Sequence, residues 1–278
     1  FVQDEWTVFD SPLLTLVPGA RIDLDSRFGV HGTPKLAIRF DPHETLTLRT
    51  SYGMGYRAPV FKEMLLLFEN PSAGYVVEGN PDLKPETSHS VNLSAEYRPT
   101  DWFQGALGLF RNEIDNLIFT ESVESADAST LRFSYVNLAE AYTQGLEASA
   151  HFKLEDDLTV DTTYTFTDAW DRTEDRRLEG RALHRATIQL GYRHEAGLDV
   201  TVRAAVVGRR PFYIDRDGDD VEERVDADSY ASLDLRIGQD LGDHFTLFIG
   251  AENLLNAGDV QFLPIQPRTF YGGVTGRL

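Results

Sequence analysis

The sequence contains no cysteine and only two methionines in 278 residues, and its 26 basic side chains are outnumbered by 45 acidic ones, for a formal charge of −19. Without cysteine there is no disulfide framework, thiolate metal site or cysteine nucleophile. A carboxylate surplus repels a phosphate backbone and the basic residues do not cluster, so nucleic acid is excluded as a partner. Long apolar runs are missing as well. Stretches such as Met64 to Phe68 fall far short of the ~20 residues that a spanning helix requires. Local catalytic signatures are also lacking. The histidines (His31, His43, His89, His151, His184, His194, His244) are scattered, with no H-E-x-x-H and no G-x-S-x-G, so an enzyme is not expected. No charged, apolar, small-residue leader follows Phe1, and a strand-like run begins at once; a longer protein is expected to precede it.

What the chain has in abundance is period-two alternation. From Thr45 to Tyr56, Leu46, Leu48, Tyr52, Met54 and Tyr56 share one face, while Thr47, Arg49, Ser51, Gly53 and Gly55 share the other. Ser90 to Tyr97 and Leu158 to Phe166 repeat the pattern, as do Ala186 to Arg193, Leu198 to Val207 and Ala231 to Gly238. Strict alternation of this kind predicts strands with one wet face. It yields about 13 strands and a single helix near Phe61 to Phe68, with a phase slip at Leu109 and Phe110 that reads as a bulge.

The connections alternate too. Tight turns fall at Asp10 to Pro12, Asp41 to Glu44, Arg98 to Asp101, Leu154 to Asp157, His194 to Gly197 and Leu241 to Asp243. Between them lie long, acidic, Gly/Pro-rich stretches: Arg57 to Thr87, Phe119 to Arg132, Asp171 to Arg181, Arg209 to Asp228 and Asn256 to Pro267. Every second connection thus reads as long. An all-β, antiparallel, up-and-down barrel in the bacterial outer membrane has this asymmetry, with short periplasmic turns, long external loops and strands of about 9–11 residues. Its apolar face meets outer-membrane lipid, and because an unpaired strand edge is costly in lipid, the sheet must close. An odd count near 13 then predicts that earlier strands are missing. Aromatics near strand ends (Tyr52, Tyr97, Trp102, Phe103, Tyr192, Phe245, Tyr271) read as interfacial girdles.

Tyr56-Arg57-Ala58-Pro59, then Glu63, then Gly79-Asn80-Pro81-Asp82-Leu83-Lys84-Pro85-Glu86-Thr87 resemble the motifs of the TonB-dependent outer-membrane receptors. Phe1 to Trp6, Asn137 to Ala141 with Gly145-Leu146-Glu147, Glu252-Asn253-Leu254-Leu255-Asn256 and Pro267 to Gly273 are similar to the same family. The resemblance covers nearly the whole chain. It implies that residues 1–278 are the C-terminal portion of a barrel of about 22 strands, with roughly nine early strands and an N-terminal plug domain lying outside it. It further implies active transport of a scarce, large ligand, a ferric siderophore first and cobalamin second. TonB and its inner-membrane energising complex would act through the plug. Leu278 departs from the family, whose members commonly end in an aromatic.

Competing readings attach to several motifs. Arg57, Pro59, Glu63, Gly79, Asn80, Pro81, Leu83, Pro85, Glu86 and Asn253 read first as loop scaffolding, since Pro59 breaks a strand and the later prolines stiffen the return path. Candidate ligand contacts are Tyr56, Phe61, Tyr75, Trp170, Arg209, Arg210, Phe212 and Tyr213; the two arginines can pair with an anionic chelate or neutralise their own acidic loop. Gly53-Met54-Gly55-Tyr56-Arg57-Ala58 matches a dinucleotide fingerprint, but the alternating strand and Pro59 rule out the helix that the fingerprint requires. Asp215, Asp217 and Asp219 read as a solvated acidic loop; the alternative is calcium held by carboxylates around Gly218, and no other cofactor is expected. Arg49, Arg203, Asp234 and Arg236 project inward by parity. A passive porin and a soluble β-rich binding protein share much of the pattern and remain the alternatives.

Overall fold

The computed structural model describes residues 1–70, 75–123, 131–155, 157–214, 222–258, 262 and 265–276. Five strands come first: β1 (Val2–Gln3), β2 (Trp6–Asp10), β3 (Leu13–Asp25), β4 (Gly29–His43) and β5 (Leu46–Arg57). A short helix, α1 (Phe61–Leu65), and the hairpin of β6 (Leu67–Asn70) and β7 (Tyr75–Glu78) follow. The longest strands come next: β8 (Glu86–Thr100), β9 (Phe103–Val123), β10 (Leu131–Glu155) and β11 (Leu158–Asp171). Then come β12 (Arg176–Arg177), β13 (His184–Arg193), β14 (Leu198–Val207), β15 (Arg210–Ile214), β16 (Glu223–Ala227), β17 (Tyr230–Leu241), β18 (Phe245–Glu252) and β19 (Thr269–Gly276).

The long strands pair antiparallel in chain order. β1 and β2 together lie along β3, and the ladder runs on through β4, β5, β8, β9, β10, β11, β13, β14, β17, β18 and β19. Counting β1 and β2 as one, this gives the 13 strands read from the alternation. Nearest-neighbour antiparallel pairing throughout is the up-and-down topology. Among the described residues one pairing departs from it: β7 runs parallel to β10, with Val76 opposite Arg132. β9 and β10 hold 21 and 25 residues, against the about 9–11 that cross a bilayer. They therefore overshoot the membrane by some 30 Å or more, and the loop hairpin docks on that overhang.

Register fixes the faces. Tyr164 stands opposite Ala186, Ala186 opposite Val206, and Val206 opposite Ala231. The same parity carries Ile188, Leu190, Val202, Leu235, Ile249 and Val274. Ile188, Leu190, Val206, Ile249 and Val274 are all exposed in the isolated chain, and among the described residues no large side chain is fully buried. The accessible surface is 18143 Å², whereas a compact globular chain of this size exposes about 12,000 Å². The apolar area that a soluble protein would bury instead forms a continuous outer surface, and hydrocarbon is the solvent that removes its cost. At its loop-side border the Tyr52 hydroxyl lies 2.8 Å from His89 Nδ1, and the Tyr164 hydroxyl 2.8 Å from His184 Nδ1.

The opposite face is polar. It carries Arg49, whose guanidinium bonds Glu96 at 2.6 Å, and Arg203, which stands opposite Asp234; Arg236 lies 3.5 Å from Asp199.

Four expectations are corrected. The ladder is continuous through Leu109 and Phe110, so no bulge sits there; the shifts fall at the short-turn end, between Thr7 and Phe9, Phe40 and His43, Tyr97 and Thr100, and Lys153 and Glu155. Phe110 is instead an aromatic on the polar face, seated where a side chain on Gly145 would come within 2.8 Å of it. Tyr271 likewise lies on the polar face, filling the space left by Gly250, and does not belong to a girdle. The helix ends at Leu65, because the chain turns extended at Leu66 to enter β6. The loop-side connections are also not uniformly long: β3 turns into β4 over three residues, closed by Asp25 accepting from the N–H groups of Arg27 and Phe28 at 2.7 and 2.9 Å.

Candidate functional site

Where β5 leaves the sheet, Arg57 stands opposite Glu86 of β8. Its Nε and Nη2 donate to the two Glu86 oxygens at 2.6 and 2.5 Å, and its Nη1 donates to both oxygens of Glu63 at 2.9 and 3.1 Å. This fork matches the planar geometry that guanidinium and carboxylate share. Glu86 also accepts the Ile118 N–H of β9 at 2.7 Å, and Glu63 the Val60 N–H at 2.8 Å. One cation thus ties together β5, α1, β8 and β9. The position is beyond the membrane-crossing part of these strands. Bonding to Glu86 raises the pKa of Arg57, against burial and with further support from Glu63. Burial opposes ionisation of Glu86, but Arg57 and the Ile118 N–H outweigh it and hold its carboxyl below the usual range.

The second half of the motif docks on this knot. Gly79 donates to Leu66 O at 2.6 Å, and Asn80 N to Glu63 O at 2.8 Å. A side chain on Gly79 would meet the backbone of Met64, Leu65 and Leu66 at 2.5–2.6 Å, so only glycine fits. The Asn80 amide donates to Tyr135 O at 2.9 Å and accepts from Asp82 N at 2.9 Å. Pro81 O accepts from Arg27 of the β3–β4 turn. Leu83, Met64 and Pro59 are each buried, and Pro85 leads directly into Glu86. Asn137 was not singled out from the sequence as a loop residue, yet it accepts from Lys84 N at 2.8 Å and donates to Lys84 O and Asn116 O at 3.0 and 2.7 Å. The stretch from Asn137 to Ala141 carries part of the family resemblance, but nothing in the sequence marks its contact with Lys84.

Asn253 performs a similar task after β18. It is buried with φ 51°, its amide donates to Ala257 O and Gln266 O at 2.6 and 2.9 Å, and its N–H donates to Asp234 at 2.9 Å. The following loop is thereby fastened to the polar face of β17.

The candidate ligand contacts do not form one cluster. Tyr56 stacks on His31 with ring centroids 4.0 Å apart, and its hydroxyl is buried without a hydrogen-bond partner. Phe61 is 79% exposed, and Tyr75 lies between Phe68 and Phe133 at 6.1 and 6.4 Å. Trp170 shares the parity of Tyr164 and Phe166, which places it on the outer face above the apolar band, opposite Arg177. Arg210 and Phe212 do come together, on one face of β15, whose partner is β16, while Tyr213 lies on the other face. Tyr213 stacks under Arg176 at 4.3 Å and donates its N–H to Glu179 at 2.7 Å; Gly180 N–H donates to Pro211 O at 2.9 Å. Arg209 is exposed and Arg210 buried. Asp215, Asp217 and Asp219 lie outside the described residues, as does Leu278.

A barrel wall with one lipid-compatible face, one polar face and loops knotted at one end has clear relatives. The family model described as TonB dependent receptor-like, beta-barrel matches residues 1–254. An iron-regulated outer membrane virulence protein of Vibrio cholerae is 29% identical over 177 residues, covering 60% of this chain and 26% of that protein. The vitamin B12 transporter BtuB of Photobacterium profundum is 26% identical over 260 residues, covering 92% of this chain and 39% of the transporter. The crystal structure of the siderophore receptor PirA from Acinetobacter baumannii superposes with a TM-score of 0.81 at 21% identity, over 99% of this chain and 45% of that one. The chain thus spans less than half the length of these relatives. It belongs to the TonB-dependent receptor family, as a stretch of the β-barrel wall in the bacterial outer membrane.

Proposed function

We propose that the chain forms the C-terminal portion of the barrel of a TonB-dependent transporter whose external loops capture a scarce, large ligand, a ferric siderophore in preference to a cobalamin. The observation that carries this reading is the family match over residues 1–254 on a wall with opposed lipid and polar faces. In the proposed mechanism the polar face, with Arg49, Arg203, Asp234 and Arg236, lines the lumen. A plug domain fills that lumen until TonB, driven by its inner-membrane energising complex, displaces it. The knot of Arg57, Glu63 and Glu86 holds the loops in one arrangement, so that binding costs little ordering entropy. The work is transport, with no bond made or broken in the ligand.

The iron preference draws support from the iron-regulated relative and from the siderophore receptor of like fold. Uptake of radio-iron chelates and of labelled cobalamin by cells carrying or lacking the intact receptor tests it. Receptor-dependent, TonB-dependent iron accumulation is expected. Cobalamin uptake alone would reverse the order of ligands, and uptake that persists without TonB would remove the active-transport reading.

A further inference from the structure

The outward face of the wall is not evenly covered. Across β10, β11, β13 and β14 it carries a recess of about 400 Å³, lined by Ala148, Ala150, Ala186 and Ala204 beside the larger Tyr164 and Val206. The register puts these residues in two neighbouring rows. Ala148 stands opposite Tyr164, Tyr164 opposite Ala186 and Ala186 opposite Val206; Ala150 and Ala204 belong to the next outward row toward the short turns, with Thr162 and Ile188. Elsewhere the same face presents large side chains such as Leu190, Leu247 and Ile249. Alanine at four places leaves a hollow in a surface that hydrocarbon covers.

One outward row nearer the loops stands His184, opposite Phe166. Its Nδ1 lies 2.8 Å from the Tyr164 hydroxyl, and its ring is 6.2 Å from that of Tyr164 and 5.4 Å from that of Phe166. The arrangement recurs on β5 and β8, where the Tyr52 hydroxyl is 2.8 Å from His89 Nδ1 and the rings are 6.1 Å apart. In both places the histidine is two residues loopward of the tyrosine's cross-strand partner, Ala186 or Val91. A hydroxyl donating to Nδ1 fixes the ring hydrogen on Nε2. His184 is exposed, so this donor is offered where the apolar surface ends. Further along the face Asp168 is paired with Arg177 at 3.3 Å, so its charge is matched.

The depths fit one kind of molecule. Strand rise places the two alanine rows about 7 and about 14 Å along the strands from His184, or about 5 and about 10 Å in depth at a tilt of about 45°. A lipid sets a phosphate oxygen and the upper part of an acyl chain at such a separation. An apolar side chain of a neighbouring barrel fills the hollow but leaves the histidine donor without an acceptor.

We propose that this part of the wall binds one phosphorylated lipid of the external leaflet, with an acyl chain in the alanine recess and a phosphate oxygen accepting from His184 Nε2. Tyr164 serves both halves of the site, orienting the imidazole through its hydroxyl and bordering the recess with its ring. The site needs only the outward face of the wall and is independent of which ligand is transported.

The test uses the intact receptor in detergent. Native mass spectrometry follows the first lipid bound during titration with lipid A and with lipid A stripped of its phosphates. The wild type is expected to hold lipid A about fivefold more tightly than the stripped form. His184→Ala should abolish that preference, and Ala186→Phe, which fills the recess, should weaken both probes about fivefold. Ile249→Phe, on the same face of β18, should change neither. Failure to retain lipid A, binding that ignores the phosphate, or binding that either His184→Ala or Ala186→Phe leaves unchanged overturns the site without touching the transport reading. A wild-type dimer that Ala186→Phe disperses assigns the recess to a second barrel and likewise overturns it. Heat-modifiable gel mobility checks that each variant is folded, and Ala204→Leu replaces Ala186→Phe if that variant fails the check.

Discussion

Arg57 and Glu86 face each other across the β5–β8 ladder and close a two-pronged ion pair at 2.6 and 2.5 Å, with Glu86 only 14% exposed. Removing one partner leaves the other charge partly desolvated. Glu86→Gln is therefore expected to destabilise the loop by about 1–3 kcal/mol, the lower end reflecting the half-exposed guanidinium. Hydrogen exchange in the intact receptor should show faster opening at α1 and residues 79–85, with the membrane-spanning strands unaffected. Unchanged protection of that loop would contradict the knot.

The same pair sets a pH dependence. The Glu86 carboxyl is held below its ordinary value of 4.5 in the folded loop. The unfolded loop therefore takes up its proton at a higher pH than the folded one, so the contribution is complete above about 4.5 and is lost as pH falls through the folded value. Loop protection in the wild type should approach that of Glu86→Gln between about pH 7 and about pH 3. A gap that stays constant over this range would show that the carboxylate is not the linked group.

Gly79 supports a steric prediction. An added methyl meets three backbone atoms of α1 and its exit within 2.6 Å, and backbone cannot swing aside as a flexible side chain can. Gly79→Ala should cost about 1–3 kcal/mol of loop stability and expose the Leu66–Leu67 region to protease. Wild-type resistance would mean that the loop is not packed against α1 in this way.

The two faces of β13 make a paired test. Leu190 lies on the apolar face and Gln189 on the polar one. Lysine at the mid-membrane lipid face costs about 2–4 kcal/mol, whereas substitutions facing the lumen are tolerated. Leu190→Lys should lower assembly into the outer membrane or urea resistance, and Gln189→Lys should leave both near wild type. Equal effects would argue against an asymmetric wall.

Much of this wall could be read from the sequence because a strand in lipid must alternate, and Leu46 to Tyr56 or Ser90 to Tyr97 state that rule residue by residue. Alternation failed at Phe110 and Tyr271, where an inward aromatic occupies the space of a glycine on the next strand; that compensation is invisible until strands are paired. Extended β9 and β10 were read partly as loop, since outside the membrane a strand no longer needs an apolar face and carries Arg111 and Glu113 there instead. The motif loop was legible as a unit, because glycine, proline and charge sit at fixed places. Its partners Asn137 and Arg27 were not, being long-range contacts of side chains with ordinary local roles.

The absence of cysteine from this chain makes its central claim, an alternating wall with lipid on one face, directly measurable. Single cysteines at residues 186–192 of the intact receptor, on a background without other thiols, can carry spin labels in a bilayer. Labels at 186, 188, 190 and 192 should be relaxed by oxygen dissolved in the lipid, and those at 187, 189 and 191 protected from it. A uniform profile, or one with the opposite phase, would contradict the account.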